Sequence, residues 1–225
     1  MSCLSRPAKS INNFPRLSAA SEVALLLMFV FLMAWTVPTM PAGLRLYSAI
    51  MILTWIFGLT IMSHITYGET LEDLGLGKRY IGQGFLELAG PVAVLALVMV
   101  DLGLAFRTLH FTRKFLLQLI GIPFWALFQQ YAAQSFINRR LQIVFGPGNK
   151  SILFTALIFA GIHLPNPALA IATAVAGLIW ARAFQRAPNL YAIALSHGLL
   201  SALFVNVMPK WLLPNMKVGY NYFFP

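Results

Sequence analysis

The chain has 225 residues, 59% of them hydrophobic and only 10% charged, with a mean hydropathy of +0.76. A soluble domain carries about 25% charged residues, so this composition excludes a water-soluble enzyme and implies a membrane protein with several crossings. Sixteen Lys and Arg stand against six Asp and Glu, a net charge of +10. Basic residues flanking membrane helices beside anionic headgroups account for the surplus. A nucleic-acid binder needs a basic face on a soluble module, and the sequence offers none.

In chain order, residues 1–18 read as a basic, irregular tail with Arg6, Lys9 and Arg16. Its Cys3 is the single cysteine, which rules out an internal disulfide, and no lipoprotein signal precedes it. Residues 19–66 hold two accessory spans, at about 23–37, ending at Pro38 and Pro41, and about 46–65. The polar stretch 66–85 follows, where Leu71, Leu74 and Leu76 among charges predict a short interfacial helix or turn. Its glycines fit no phosphate-binding spacing.

A core at 67–208 carries five further spans, at about 85–106, 116–137, 151–164, 168–183 and 190–208. Residues 164–167, Leu-Pro-Asn-Pro, turn the chain. The tail at 209–225 ends in aromatics suited to a membrane interface. The fold expected is therefore an all-α polytopic bundle of about seven transmembrane helices. With the N-terminus inside, ten basic residues fall on the cytoplasmic side and six on the other, although the basic joint at 107–114 opposes this orientation.

One stretch breaks the apolar pattern. Between Trp125 and Arg140 stand Gln129, Gln130 and Gln134, and the last two share a helical face. An amide in hydrocarbon costs several kcal/mol unless it is paired, so these side chains must point into the bundle. His163 and His197 are the candidate partners. Counted from Arg139, Lys150 and Arg186 at ~1.5 Å per residue, Gln129, His163 and His197 reach depths of roughly 15, 20 and 16 Å, near the middle of a core about 30 Å thick. Each residue alone reads as interhelical glue; the three together read as a site. No carboxylate side chain follows Asp101. Two histidines without one are thin support for a metal, and no cofactor is expected.

Phe-Ala-Gly-Ile-His (159–163), Ser-His-Gly-Leu-Leu-Ser (196–201) and Gln-Gln-Tyr-Ala-Ala-Gln (129–134) together resemble the three motifs of the CAAX-protease and bacteriocin-processing family of intramembrane proteases. The resemblance spans roughly residues 70–207 and includes Asp-Leu-Gly-Leu at 73–76. It implies an all-helical membrane fold around an intramembrane endopeptidase site, in which glutamate and histidine activate water. Prenylated proteins or bacterial peptides are then the expected substrates, and a bacterial inner membrane the expected location. By position, Gln129 and Gln130 take the two glutamate places and Gln134 the arginine place of Glu-Glu-x-x-x-Arg. His163, with Phe159, and His197 take the histidine places, and Ser201 the asparagine place.

A glutamine cannot accept a proton from water at neutral pH, so the sequence also fits a pseudoenzyme. Such a protein would bind a peptide, lipid or membrane-protein partner, or serve as a subunit of a larger membrane complex. A small transporter or immunity-type protein is a third reading. His163 acting as base, or Glu87 as a substitute carboxylate, would keep the enzyme reading alive.

Overall fold

The computed structural model describes residues 15–109 and 112–224. Cys3, Arg6, Lys9 and His110 lie outside the described residues. The described chain is helical: α1 (Pro15–Phe31), α2 (Ala42–Thr66), α3 (Ile81–Ala105), α4 (Arg113–Gln130), α5 (Arg139–Phe145), α6 (Asn149–Gly161), α7 (Pro167–Arg186), α8 (Leu190–Val207) and a final turn, α9 (Tyr220–Phe223). α1 is described from Pro15, so it includes the last residues of the segment expected to be irregular. α1 then loosens into a π turn at Leu32–Thr36 and a 3-10 turn at Val37–Thr39, where Pro38 removes a backbone donor.

Among the described residues, five helices are long and apolar enough to cross a membrane: α1 with its continuation to Thr39, α2, α3, α7 and α8. The α4–α5 rod and the 13-residue α6 lie where the other two of the seven expected spans were placed, but neither is among the helices long and apolar enough to cross. The protein is a polytopic helical membrane bundle. In α1, α2 and α3 only 17% of the apolar window is buried, against 50% in α7 and 61% in α8. The first three helices thus present most of their side chains outward, and α7 and α8 form the centre. The main core gathers Phe159, Trp180, Phe184, Leu190, Ile193 and Leu200.

Local sequence sets the helix starts. Thr112, Asn166 and Asn189 accept hydrogen bonds from the backbone N–H groups of Phe115, Leu169 and Ala192, which satisfies donors left free in a first turn. α6 ends at Gly161, and His163 sits in the turn that follows, before the cis Leu164-Pro165 peptide. Between α4 and α5, residues Tyr131–Asn138 form a π-helix, a form often found at functional sites.

The 67–80 stretch is a series of turns rather than a helix. Asp73 closes it by accepting from the N–H and hydroxyl of Thr70, at 2.9 and 2.7 Å. The next three carbonyls strap it to the core. Leu74 O accepts from Ser135 Oγ at 2.6 Å, Gly75 O from Leu190 N at 2.8 Å and Leu76 O from Tyr191 Oη at 3.0 Å. Gly75 has a φ of +74°, and a Cβ there would stand 2.9 Å from Phe184 and 3.1 Å from Leu190 N. Both the conformation and the space demand glycine.

Candidate functional site

The α4–α8 crossing brings the site together. A Cβ on Gly198 would meet Pro123 Cγ at 2.4 Å and Pro123 N at 2.8 Å, so only a glycine lets the two backbones approach this closely. Its neighbour His197 is thereby set against α4. His197 Nδ1 lies 3.0 Å from Gln130 Nε2. Gln134 Nε2 donates to Gln130 Oε1 at 3.1 Å, and Asn138 Nδ2 donates to Gln134 Oε1 at 2.9 Å. The three amides follow one another at intervals of four along the α4–π rod and are fully buried. Each has found the internal partner that an amide in hydrocarbon requires.

His163 approaches from the turn after α6. Its Nδ1 lies 2.6 Å from Phe159 O; a carbonyl can only accept, so Nδ1 carries the proton and Nε2 has the lone pair. The Phe159 ring lies edge-on to both histidines, with centroids 4.9 Å from His163 and 5.9 Å from His197. Trp180 covers His197 at 4.5 Å and donates its indole N–H to Ser196 Oγ at 2.9 Å. Gln130, Gln134, Phe159, His163 and His197 thus meet in one buried cluster of low charge. Phe159, an apolar motif position in sequence, is the ring that fixes the spacing of the two histidines.

The remaining candidates stand apart from this hydrogen-bonded chain. Gln129 is half-buried one residue before it, and Ser201 is half-buried one turn beyond His197. Glu87 accepts from Arg186 at 3.0 Å in a partly exposed pair, with 27% and 51% of the side chains accessible. Its carboxylate is engaged there rather than among the histidines. Among the described residues no group of three His, Cys, Asp or Glu side chains comes together as metal ligands would.

Sequence reasoning missed two parts of the polar interior. Asn138 and Gln185 extend the amide chain; the spacing of Asn138, four beyond Gln134, was the signal that could have found it. The second part lies at one end of the bundle. Arg140 is fully buried, although it reads as a membrane flank in sequence. It forms a two-pronged pair with Glu69, both bonds at 2.9 Å, donates to Glu22 and Ser63 at 2.9 Å each, and stacks over the Tyr67 ring at 4.1 Å. Glu69 also accepts from Arg139 and from His64, each at 2.5 Å. Burial alone would raise the Glu69 carboxyl. The hydrogen bonds from His64 and Arg140 and the charges of both arginines outweigh it and hold the group at about 2, below its ordinary 4.5. Beside this cluster opens a small cleft of about 190 Å³, lined by Tyr67, Glu69, Arg139, Gln142 and Ile143.

Residues 111–203 match a family model, that of the type II CAAX prenyl endopeptidases, Rce1-like. The matched stretch contains every member of the Gln–His cluster. It begins after the turns at 67–80, part of which, from about residue 70, the sequence resemblance had included. No curated protein and no solved structure gives a match. The chain is thus similar to the type II CAAX prenyl endopeptidases, Rce1-like, over residues 111–203.

Proposed function

We propose that the protein is a CAAX-protease-like intramembrane endopeptidase homologue. It receives a peptide segment at the Gln130–His197–His163 cluster and, with glutamines at the glutamate places, hydrolyses it poorly. The observation that carries this reading is the buried bond between Gln130 and His197 beside an intact Phe159–His163 pair. These contacts support a peptide-handling role for the two histidines, whereas the amides beside them cannot serve as a base. General acid–base help is worth about 10²–10⁴-fold, and its loss leaves binding in place while slowing cleavage. Prenylated or other membrane-associated peptides are the ligand class suggested by the family.

A second reading, slow hydrolysis driven by His163 itself, is favoured by one observation. The Nδ1 contact with Phe159 leaves Nε2 of that ring able to accept a proton. The test of both is the purified protein in lipid, assayed for binding and cleavage of prenylated and unmodified membrane peptides, with the folded His163→Ala/His197→Ala variant as control. Binding lost in the control, without cleavage, supports the first reading. Cleavage lost in the control supports the second. Neither binding nor cleavage above control overturns both.

A further inference from the structure

Two backbone groups at the far end of the amide chain have roles that cannot be exchanged. The N–H of Gly148 can only donate, and the carbonyl of Ala181 can only accept. Gly148 N donates to Gln185 Oε1 at 2.8 Å, so the other end of that side chain is its NH2, which donates to Asn138 Oδ1 at 2.8 Å and Ser151 Oγ at 2.9 Å. Asn138 therefore turns its own NH2 the other way, to Ala181 O at 3.2 Å and Gln134 Oε1 at 2.9 Å. Gln134 in turn presents NH2 to Gln130 Oε1 at 3.1 Å, and Gln130 presents NH2 to His197 Nδ1 at 3.0 Å. Gln142, donating to Asn138 Oδ1 at 3.2 Å, points the same way. Reversing any one amide sets donor against donor or acceptor against acceptor, and Gln130, Gln134 and Asn138 are fully buried, with no exposed face to turn to.

We infer that Asn138 and Gln185 are positioning residues that fix the tautomer of His197 through Gln134 and Gln130, making its ring a hydrogen-bond donor at Nε2. An NH2 group facing Nδ1 requires a lone pair there, so the neutral ring carries its proton on Nε2. His163 is fixed the opposite way by Phe159 O, with Nε2 as its acceptor. The cluster therefore holds one imidazole that accepts and one that donates, each set by groups on its own side of the bundle. A donor of this kind suits a peptide carbonyl oxygen. That role rests on the function proposed above, whereas the tautomer does not.

The test is 15N NMR of the full chain, labelled on histidine nitrogens, in detergent micelles or nanodiscs. His197 is assigned by the signals missing from His197→Ala. The wild type should show His197 protonated on Nε2 and His163 on Nδ1. Gln134→Glu puts an oxygen where Gln130 Oε1 now receives NH2. Gln130 must turn over, and His197 should move almost wholly to the Nδ1–H form. Asn138→Asp removes the NH2 that Gln134 Oε1 accepts; Gln134 and Gln130 reverse in turn, with the same result from one link farther away. Gln134→Leu cuts the relay without introducing a charge and should leave a mixture of tautomers.

A wild-type His197 protonated on Nδ1 overturns the inference. So does an unchanged Nε2–H signal in the folded carboxylate variants or, where these do not fold, in folded Gln134→Leu. Peptide binding is read separately. A switching tautomer in a protein that binds no peptide retires the proposed function and keeps the relay, and the converse result does the reverse.

Discussion

Gln130 and His197 stand 67 residues apart in the chain and 3.0 Å apart in space, on two helices locked together at Pro123 and Gly198. The polar bond and the close crossing depend on each other. The crossing brings the ring to the amide, and the bond satisfies two groups that would be costly to leave alone in hydrocarbon. The site is as rigid as this crossing.

Gly198→Ala should therefore be felt well beyond one methyl group. The added Cβ would lie 2.8 Å from the Pro123 nitrogen, a backbone atom that cannot rotate away. Overpacking of this kind costs about 1–3 kcal/mol. The thermal midpoint in a fixed detergent should fall by several degrees, and a variant as stable as the wild type would contradict the crossing described.

On the proposed function, glutamate at positions 129 and 130 should raise peptide cleavage. Gln129→Glu/Gln130→Glu supplies the base that the amides lack, and peptide cleavage in lipid should rise by about 10²–10⁴-fold over the parent. A folded double variant with no gain would show that more than the base has been lost.

Removing one partner from the Arg140 cluster should be severe. Arg140→Leu strands Glu69 beside Arg139 and His64 and leaves Ser63 and Glu22 without their shared donor. Breaking a buried ion pair by deleting one side costs about 3–5 kcal/mol. Chemical or thermal unfolding in detergent reads the loss. Its placement also predicts that α1 and α2, which supply Glu22 and Ser63, become the first segments accessible to protease.

Acid should weaken the same cluster with a definite sign. The Glu69 carboxyl is held at about 2 against an ordinary 4.5, so the folded protein binds its proton less readily than the unfolded chain. Its stabilisation is fully present above about 4.5 and is lost as pH falls from there through about 2, amounting to roughly 3 kcal/mol. Unfolding midpoints measured between pH 6 and 3 should drop less steeply in Glu69→Gln than in the parent. Identical slopes would remove Glu69 as the source.

The sequence by itself determined the class of fold, the approximate positions of the long helices and the identity of the central polar groups. Apolar runs of membrane length can only be helices, and an amide inside one must face a partner. Local signals are equally direct at Asn166 and Asn189, whose side chains cap the helices that follow them. The tertiary structure decided which partner each polar group received. Arg139 and Arg140 are adjacent and chemically alike, yet 25% of the Arg139 side chain is accessible and none of Arg140. Only the packing of α1 and α2 against the rod separates them. Glu87, a buried carboxylate candidate by composition, is claimed by Arg186 because the fold brings α3 beside the end of α7. Asn138 and Gln185 gain their place in the His197 chain from the backbone groups of Gly148 and Ala181. Helical period places a residue on a face, but a hydrogen bond between helices needs both faces in register, and that register is set by packing across the whole bundle.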